Sequence, residues 1–172
     1  DLHLSLRRQR QMCIRDSNND IMIGGGGHSY ATCLESDPEG NLYFIRCAED
    51  TPHGGVLLKV SADGSRLSVV ATGFRNPNGL GVSPSGFSTA ADQQGTWVPE
   101  TRLDVIKPGG FYGYMPMHKR ATEPTTYDPP LMWIPRVLDN SAGGQVWVPK
   151  NLWGAFGGGL IHFSYGRCTM LH

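Results

Sequence analysis

The chain has 172 residues and a mass of 18.8 kDa, the size of one ordinary domain. Its 15 Lys and Arg balance its 15 Asp and Glu, so there is no basic excess to drive nucleic-acid binding or polybasic contact with a membrane. The 23 glycines and 12 prolines far exceed their usual combined share of about 12% and interrupt the chain too often for a helical bundle. No apolar run approaches the roughly 20 residues that cross a bilayer.

In chain order, residues 1–17 (DLHLSLRRQRQMCIRDS) carry four arginines and no lysine, with no helical apolar stripe. Ser5 to Ser17 resemble translated sequencing-adapter bases. The expected organisation is a non-native segment over 1–17 followed by one folded unit over 18–172, truncated at both ends. A basic N-terminal helix or targeting segment is the alternative. Without residues 1–17, 11 basic and 13 acidic residues remain, a slightly acidic protein.

From Ala31 to Ala91 short apolar or β-branched runs alternate with turn chemistry: DPEG at 37–40, SADG at 61–64 and SPSG at 83–86. NLYFIR (41–46), GVLLKV (55–60), LSVVAT (67–72) and LGV (80–82) are the predicted strands. DPEG and SPSG recur 46 residues apart, each leading into a strand that ends near an acidic residue, Glu49 and then Asp92. That period suits one four-stranded blade. A third copy over 145–167 has hairpin texture without the turn motif. The fold class expected is all-β: an incomplete propeller, about three blades of a six-bladed ring, with open strand edges. Between Trp97 and Pro135 seven prolines and the segments KPGGFYGY and YDPPLMWIP mark a long stiff connection. It is read as a top-face loop packing Phe111, Tyr112, Tyr114 and Trp133 over the propeller. With Cys13 set aside, Cys33, Cys47 and Cys168 match neither a zinc pattern nor a disulfide framework. Cys33 and Cys47 either pair across adjacent strands or stay as buried thiols.

Three polar clusters fall in loops. GGGGHSY presents His28 after four glycines; an imidazole titrating near neutrality suits general-base work, and a structural or merely exposed histidine is the plain alternative. GFRNPNGLGV places Arg75, Asn76 and Asn78 around a proline, a set that could clamp carboxylate or carbonyl oxygens or could cap its own turn. ADQQGTWVPETRLDVIKPGGFYG offers Asp92, Gly95 and backbone carbonyls of the kind that suit calcium. His53 in TPHGG reads as a turn histidine or a substrate contact.

The order of these clusters resembles a family. RNPNGLGVSPSG, DQQG and LDVIKPGGFYGYMP, preceded by His28 and SDPEGNLYFIR, are similar to the matching run in soluble glucose and sorbosone dehydrogenases, six-bladed propellers that carry pyrroloquinoline quinone. The similarity covers Gly27 to Tyr114 and, more loosely, Ala142 to Arg167. It is closest to a branch of large secreted bacterial proteins that append a c-type haem module.

The resemblance implies that His28 is the base taking the proton of a sugar or alcohol hydroxyl while hydride passes to the quinone. Arg75 would stabilise charge on the reacting quinone oxygen. Asn76, Asn78 and Arg167 would bind the quinone, with Asn78 standing where Gln is common. The carbonyls of Gly95 and Thr96 would hold a calcium acting as Lewis acid, Thr96 standing where Pro is common. The Tyr112 carbonyl would serve a second, structural calcium, although Thr101 and Arg102 replace the usual acidic residues. The implied partners are a small sugar or alcohol and an electron acceptor such as a haem module outside this chain; the implied location is periplasmic or secreted. Two rival readings stand beside it. One is a calcium-dependent lactonase using Asn78 as metal ligand, the other a non-catalytic propeller that binds glycans or organises neighbouring domains.

Overall fold

The two turns that repeat in the sequence close in the same way. In DPEG the Asp37 N–H donates to the Asn41 carbonyl at 3.0 Å and the Gly40 N–H to the Asp37 carbonyl at 2.9 Å; in SPSG the Ser83 and Gly86 N–H groups make the matching bonds at 2.8 Å. The first side chain of each turn adds a third bond: Asp37 Oδ1 accepts from the Asn41 N–H at 2.8 Å, Ser83 Oγ from the Phe87 N–H at 3.2 Å. A short side-chain oxygen here stands in for a backbone acceptor, which is why Asp and Ser suit the position.

In the computed structural model, which describes residues 18–25 and 30–172, each of these turns joins the first two strands of a four-stranded antiparallel meander. The first sheet is β1 (Ala31–Ser36), β2 (Leu42–Arg46), β3 (Val56–Val60) and β4 (Leu67–Thr72). The second is β5 (Pro77–Val82), β6 (Ser88–Asp92), β7 (Thr101–Val105) and β8 (Met132–Ile134). The third has three strands, β9 (Ala142–Trp147), β10 (Leu160–Ser164) and β11 (Thr169–Leu171). Among the described residues no helix is long and apolar enough to cross a membrane.

The first strand of each sheet packs on the first strand of the next, β1 on β5 and β5 on β9. Thr32 Oγ1 donates to the Pro77 carbonyl at 2.9 Å and Asn78 Nδ2 to the Ala142 carbonyl at 2.9 Å, stitching the three inner strands together. Such close backbones leave little room for side chains. Gly79 sits at φ +97°, and a Cβ there would lie 2.2 Å from the Gly143 carbonyl oxygen, so only glycine fits. Three sheets fanning from one line of inner strands are the arrangement of adjacent blades.

The main core lies between the first two sheets, where Tyr43, Ile45, Leu57, Ala71, Phe74, Leu80, Ala90, Ile106 and Tyr112 pack together. The middle sheet has neighbours on both faces, and every residue of β6 (STAAD) is buried. Ala90 faces the first sheet within that core, while Thr89 Oγ1 donates across to Gln145 Oε1 of β9 at 2.7 Å. Small side chains let the sheet sit between two others.

The long connection differs from the expected top-face loop. It leaves β7 at the far end and climbs along β4, the Gly109 N–H donating to the Val70 carbonyl and the Tyr112 N–H to the Thr72 carbonyl. Phe111 and Tyr112 are therefore interior, Tyr112 stacking on Phe74 at 5.0 Å between ring centroids. Trp133 lies within β8. After Tyr112 the connection passes the end from which β5 starts, where the Tyr114 N–H donates to the Gly73 carbonyl, and β8 returns there through the Thr101–Ile134 pair; the Tyr112 ring is worth more between two sheets than over an open face.

Asp37 gives a test of the first turn. Burial alone would raise its carboxyl, but hydrogen bonds from the Asn41 side chain and N–H, the Tyr43 hydroxyl and the Lys59 charge bring it down to about 2. A depressed carboxylate stabilises the fold above its unfolded value and loses that contribution as pH falls through the folded one. Thermal melts should show Tm dropping between pH 4 and pH 2, with a shallower drop for Asp37→Asn.

Candidate functional site

Strand pairing brings several loops to one end of the fan. Pro77 pairs with Asp92, Ala31 with Arg46, and Val56 with Thr72. The turn at 73–76, the 47–55 connection and the 93–100 connection therefore meet there. The last residue of β6 organises them. Asp92 is wholly buried, and its two carboxylate oxygens accept from the backbone N–H groups of Arg75 at 2.7 Å and Asn76 at 2.8 Å. Burial outweighs these bonds and the nearby charges of Arg102 and Arg75, pushing the Asp92 carboxyl up to about 6.

With its backbone fixed, Arg75 is half-buried and lays its guanidinium along the chain at Gly95, Nη1 donating to the Gln94 carbonyl at 3.3 Å. A Cβ on Gly95 would stand 2.3 Å from Arg75 Cζ. Glycine here is a seat for a guanidinium. The Arg75 carbonyl accepts from the Ala48 N–H at 2.8 Å, and the Gly73 carbonyl accepts from the Tyr114 N–H at 2.8 Å. Ala48, Arg75, Asn76 and Tyr114 then line a polar cavity of about 230 Å³. Asn76 turns its amide inward: Nδ2 donates to Gln93 Oε1 at 2.7 Å, and Oδ1 accepts from Cys47 Sγ at 2.9 Å. Burial pushes the Cys47 thiol up to about 11, so it remains a neutral donor.

No protein-family model and no curated protein matches the chain. Solved structures do. An oxidoreductase of Thermus thermophilus, described as a glucose dehydrogenase, superposes with a TM-score of 0.56 at 19% identity over 80% of this chain and 44% of its own. The PQQ-bound form of an aldose sugar dehydrogenase from Streptomyces coelicolor gives a TM-score of 0.53 at 18% identity over 79% and 45%. The fold is a partial β-propeller. The chain spans under half the length of either structure.

On this propeller Arg75, Asn76, Gly95 and Thr96 come together at one mouth. Asn78 and Arg167 do not join them. Asn78 lies lower on β5, with Nδ2 on the Ala142 carbonyl and Oδ1 toward Cys33 Sγ at 3.7 Å. Arg167, in the turn between β10 and β11, is spent on the Arg136 carbonyl at 2.8 and 3.0 Å. His53 Nδ1 accepts from the Met22 N–H at 2.9 Å, a bond that ties down the backbone. His28 lies outside the described residues; on either side of its segment, Gly24 donates to Glu49 Oε2 and the Tyr30 carbonyl accepts from the Cys47 N–H. Cys33 and Cys47 are free thiols, and each donates to an Asn of the NPN turn.

The donor set fits a quinone at Arg75, where a planar cation borders a polar cavity. At Gly95 and Thr96 two neighbouring carbonyls are available for a calcium, although the Gly95 carbonyl also accepts from the Val98 N–H at 3.1 Å. Among the described residues no group of three or more His, Cys, Asp or Glu side chains could hold a metal. The Tyr112 position needs correcting. Its carbonyl accepts from Arg102 Nη1, while Arg102 also donates to both Asp104 oxygens and to the Asp128 carbonyl at 2.8 Å. The Tyr112, Tyr127 and Trp133 rings surround this guanidinium at 5.4 to 5.6 Å. A buried arginine occupies the oxygen cage, so the residues present do not fit a second calcium. Asp92, offered by the sequence as a calcium-type oxygen donor, instead spends both oxygens on backbone N–H groups; the asparagine partners of the two thiols and the Arg102–Asp104 pair had no signal in the sequence.

Two variants probe this geometry. Asp92→Asn replaces one acceptor with an NH₂ group facing a backbone N–H, and should cost about 1–3 kcal/mol in urea unfolding. Gly95→Ala should leave the fold assembled by far-ultraviolet circular dichroism while displacing the guanidinium, read as altered Arg75 Nε chemical shifts.

Proposed function

We propose that this chain is the part of a quinone-dependent sugar dehydrogenase that supplies the arginine side of the cofactor site. The observation that carries the reading is the Arg75 guanidinium, seated on Gly95 beside a polar cavity and held there by a turn that Asp92 fixes. The likeness to a PQQ-bound sugar dehydrogenase fold supports it. Bound at this mouth, the quinone would accept the hydride from a sugar or alcohol carbon. Arg75 would hold the quinone through charge-assisted hydrogen bonds and stay positively charged throughout the reaction. His28 would take the hydroxyl proton, and the Gly95 and Thr96 carbonyls would hold a calcium. Asn76 acts through its backbone, and Asn78 acts as a brace between the first two inner strands and β9.

The lactonase reading needs Asn78 Oδ1 as a metal ligand at the mouth. That oxygen faces Cys33 Sγ and the amide nitrogen is on Ala142, which favours the quinone reading. Titrating the chain with pyrroloquinoline quinone in calcium buffer tests it. We expect a saturable shift of the quinone absorbance, weakened about tenfold or more in Arg75→Ala, as befits loss of charge-assisted hydrogen bonds. No saturable shift, or the same affinity in Arg75→Ala, contradicts the reading.

A further inference from the structure

The tip of the 95–98 turn is built against its own stability. The Gly95 and Val98 N–H groups donate to each other's carbonyls at 2.6 and 3.1 Å, closing a tight turn with Thr96 and Trp97 at its apex. Trp97 sits at φ +72°, the left-handed region where a bulky side chain is strained. Trp97 is 59% exposed. Glycine would relieve the backbone and remove a wetted apolar ring in one step. Trp153 shares both features, with φ +57° and 62% exposure, so the case for Trp97 rests on the cleft it lines.

The ring stands on a cleft of about 380 Å³, within the range of small-molecule sites. Phe111, Met115 and Tyr127, the last 52% exposed, line it with Trp97, and Glu123, Thr125 and Thr126 line it as well. Aromatic rings, two hydroxyls and a carboxylate around one cleft suit one class of ligand. The axial C–H bonds of a pyranose ring present a weakly positive face to the negative face of an indole or phenol ring, while its hydroxyls need donors and acceptors at the edge.

The cleft also adjoins the arginine cavity. Trp97 is two residues from the Gly95 seat, and Met115 follows Tyr114, which lines that cavity. We infer that the Trp97–Tyr127 cleft is a saccharide subsite, taking a sugar ring of an oligosaccharide whose neighbouring ring enters the Arg75 cavity. The ring-binding part stands on the cleft alone; the placing of the neighbouring ring rests on the function proposed above. The preferred ligand is then a chain of sugars rather than a monosaccharide.

Calorimetric titration of the whole chain, without quinone, with cellotetraose, maltotetraose, chitotetraose and glucose tests the subsite separately from the cofactor reading. At least one tetrasaccharide should bind at least about tenfold more tightly than glucose. Trp97→Gly should lose that difference while its Tm stays level or rises, because glycine suits the turn; Trp97→Phe should retain most of the binding. Binding by none of the tetrasaccharides, or binding that Trp97→Gly leaves intact, overturns the inference, as does a Tm that falls in Trp97→Gly without any change in binding. A failed quinone titration alongside tetrasaccharide binding through Trp97 would leave the subsite standing and remove only the dehydrogenase reading.

Discussion

One buried carboxylate sets the geometry on which the candidate site depends. Asp92 closes β6 in the middle of three packed sheets and accepts two backbone N–H groups from the turn that begins the neighbouring strand. A buried charge is tolerable only where its oxygens are satisfied. The turn therefore has one place to be, and Arg75 and Asn76 have one direction from which to leave it. Everything at the mouth is arranged around that turn: the Gly95 seat, the Ala48 N–H bond to the Arg75 carbonyl, and Tyr114 closing the cavity.

The rest of the chain keeps this turn at the mouth and keeps the mouth stiff. β5 and β9 approach so closely that a Cβ on Gly79 would lie 2.2 Å from the Gly143 carbonyl oxygen, and Asn78 bonds across the same gap to the Ala142 carbonyl. The long connection buries Tyr112 in the core between the first two sheets before delivering Tyr114 and Met115 to the site. Its return is fastened by Arg102, whose donors reach Asp104 and the carbonyls of Tyr112 and Asp128. Burial raises the Asp104 carboxyl to about 7 even beside this guanidinium, so the pair contributes position more than net stability. A fixed internal cation of this kind organises a loop in the way a bound metal could, without depending on one.

Much of the fold was legible because the turns carry it. DPEG and SPSG are spaced one blade apart, and both close through the same hydrogen bonds. In the first sheet β2, β3 and β4 show their β-branched and apolar residues openly, while β1 (ATCLES), mostly half-buried or exposed, was not predicted. β6 was harder, since STAAD has little strand propensity and owes its place to burial on both faces. The third sheet lacks the turn motif and showed only as texture. At the site, the NPN turn and the DQQG glycine were visible as chemistry, but their partners were not. Nothing in sequence distance reveals that Asp92 reaches back 17 residues to the Arg75 N–H, or that two cysteines orient two asparagine amides. Trp97 entered the sequence reading only as the start of the proline-rich connection, and its left-handed backbone and exposure are visible only in the structure.

The central claim is that Asp92 is the acceptor that aims Arg75 and Asn76 at the mouth of the propeller. Amide chemical shifts followed from pH 4 to pH 8 on the labelled chain test it most directly. The Arg75 and Asn76 amide protons should lie downfield and move together through one transition near pH 6, where the Asp92 carboxyl titrates, and that shared transition should vanish in Asp92→Asn. If the two amides stay unmoved across this range, or move independently of the substitution, the turn is held by something else and the account fails.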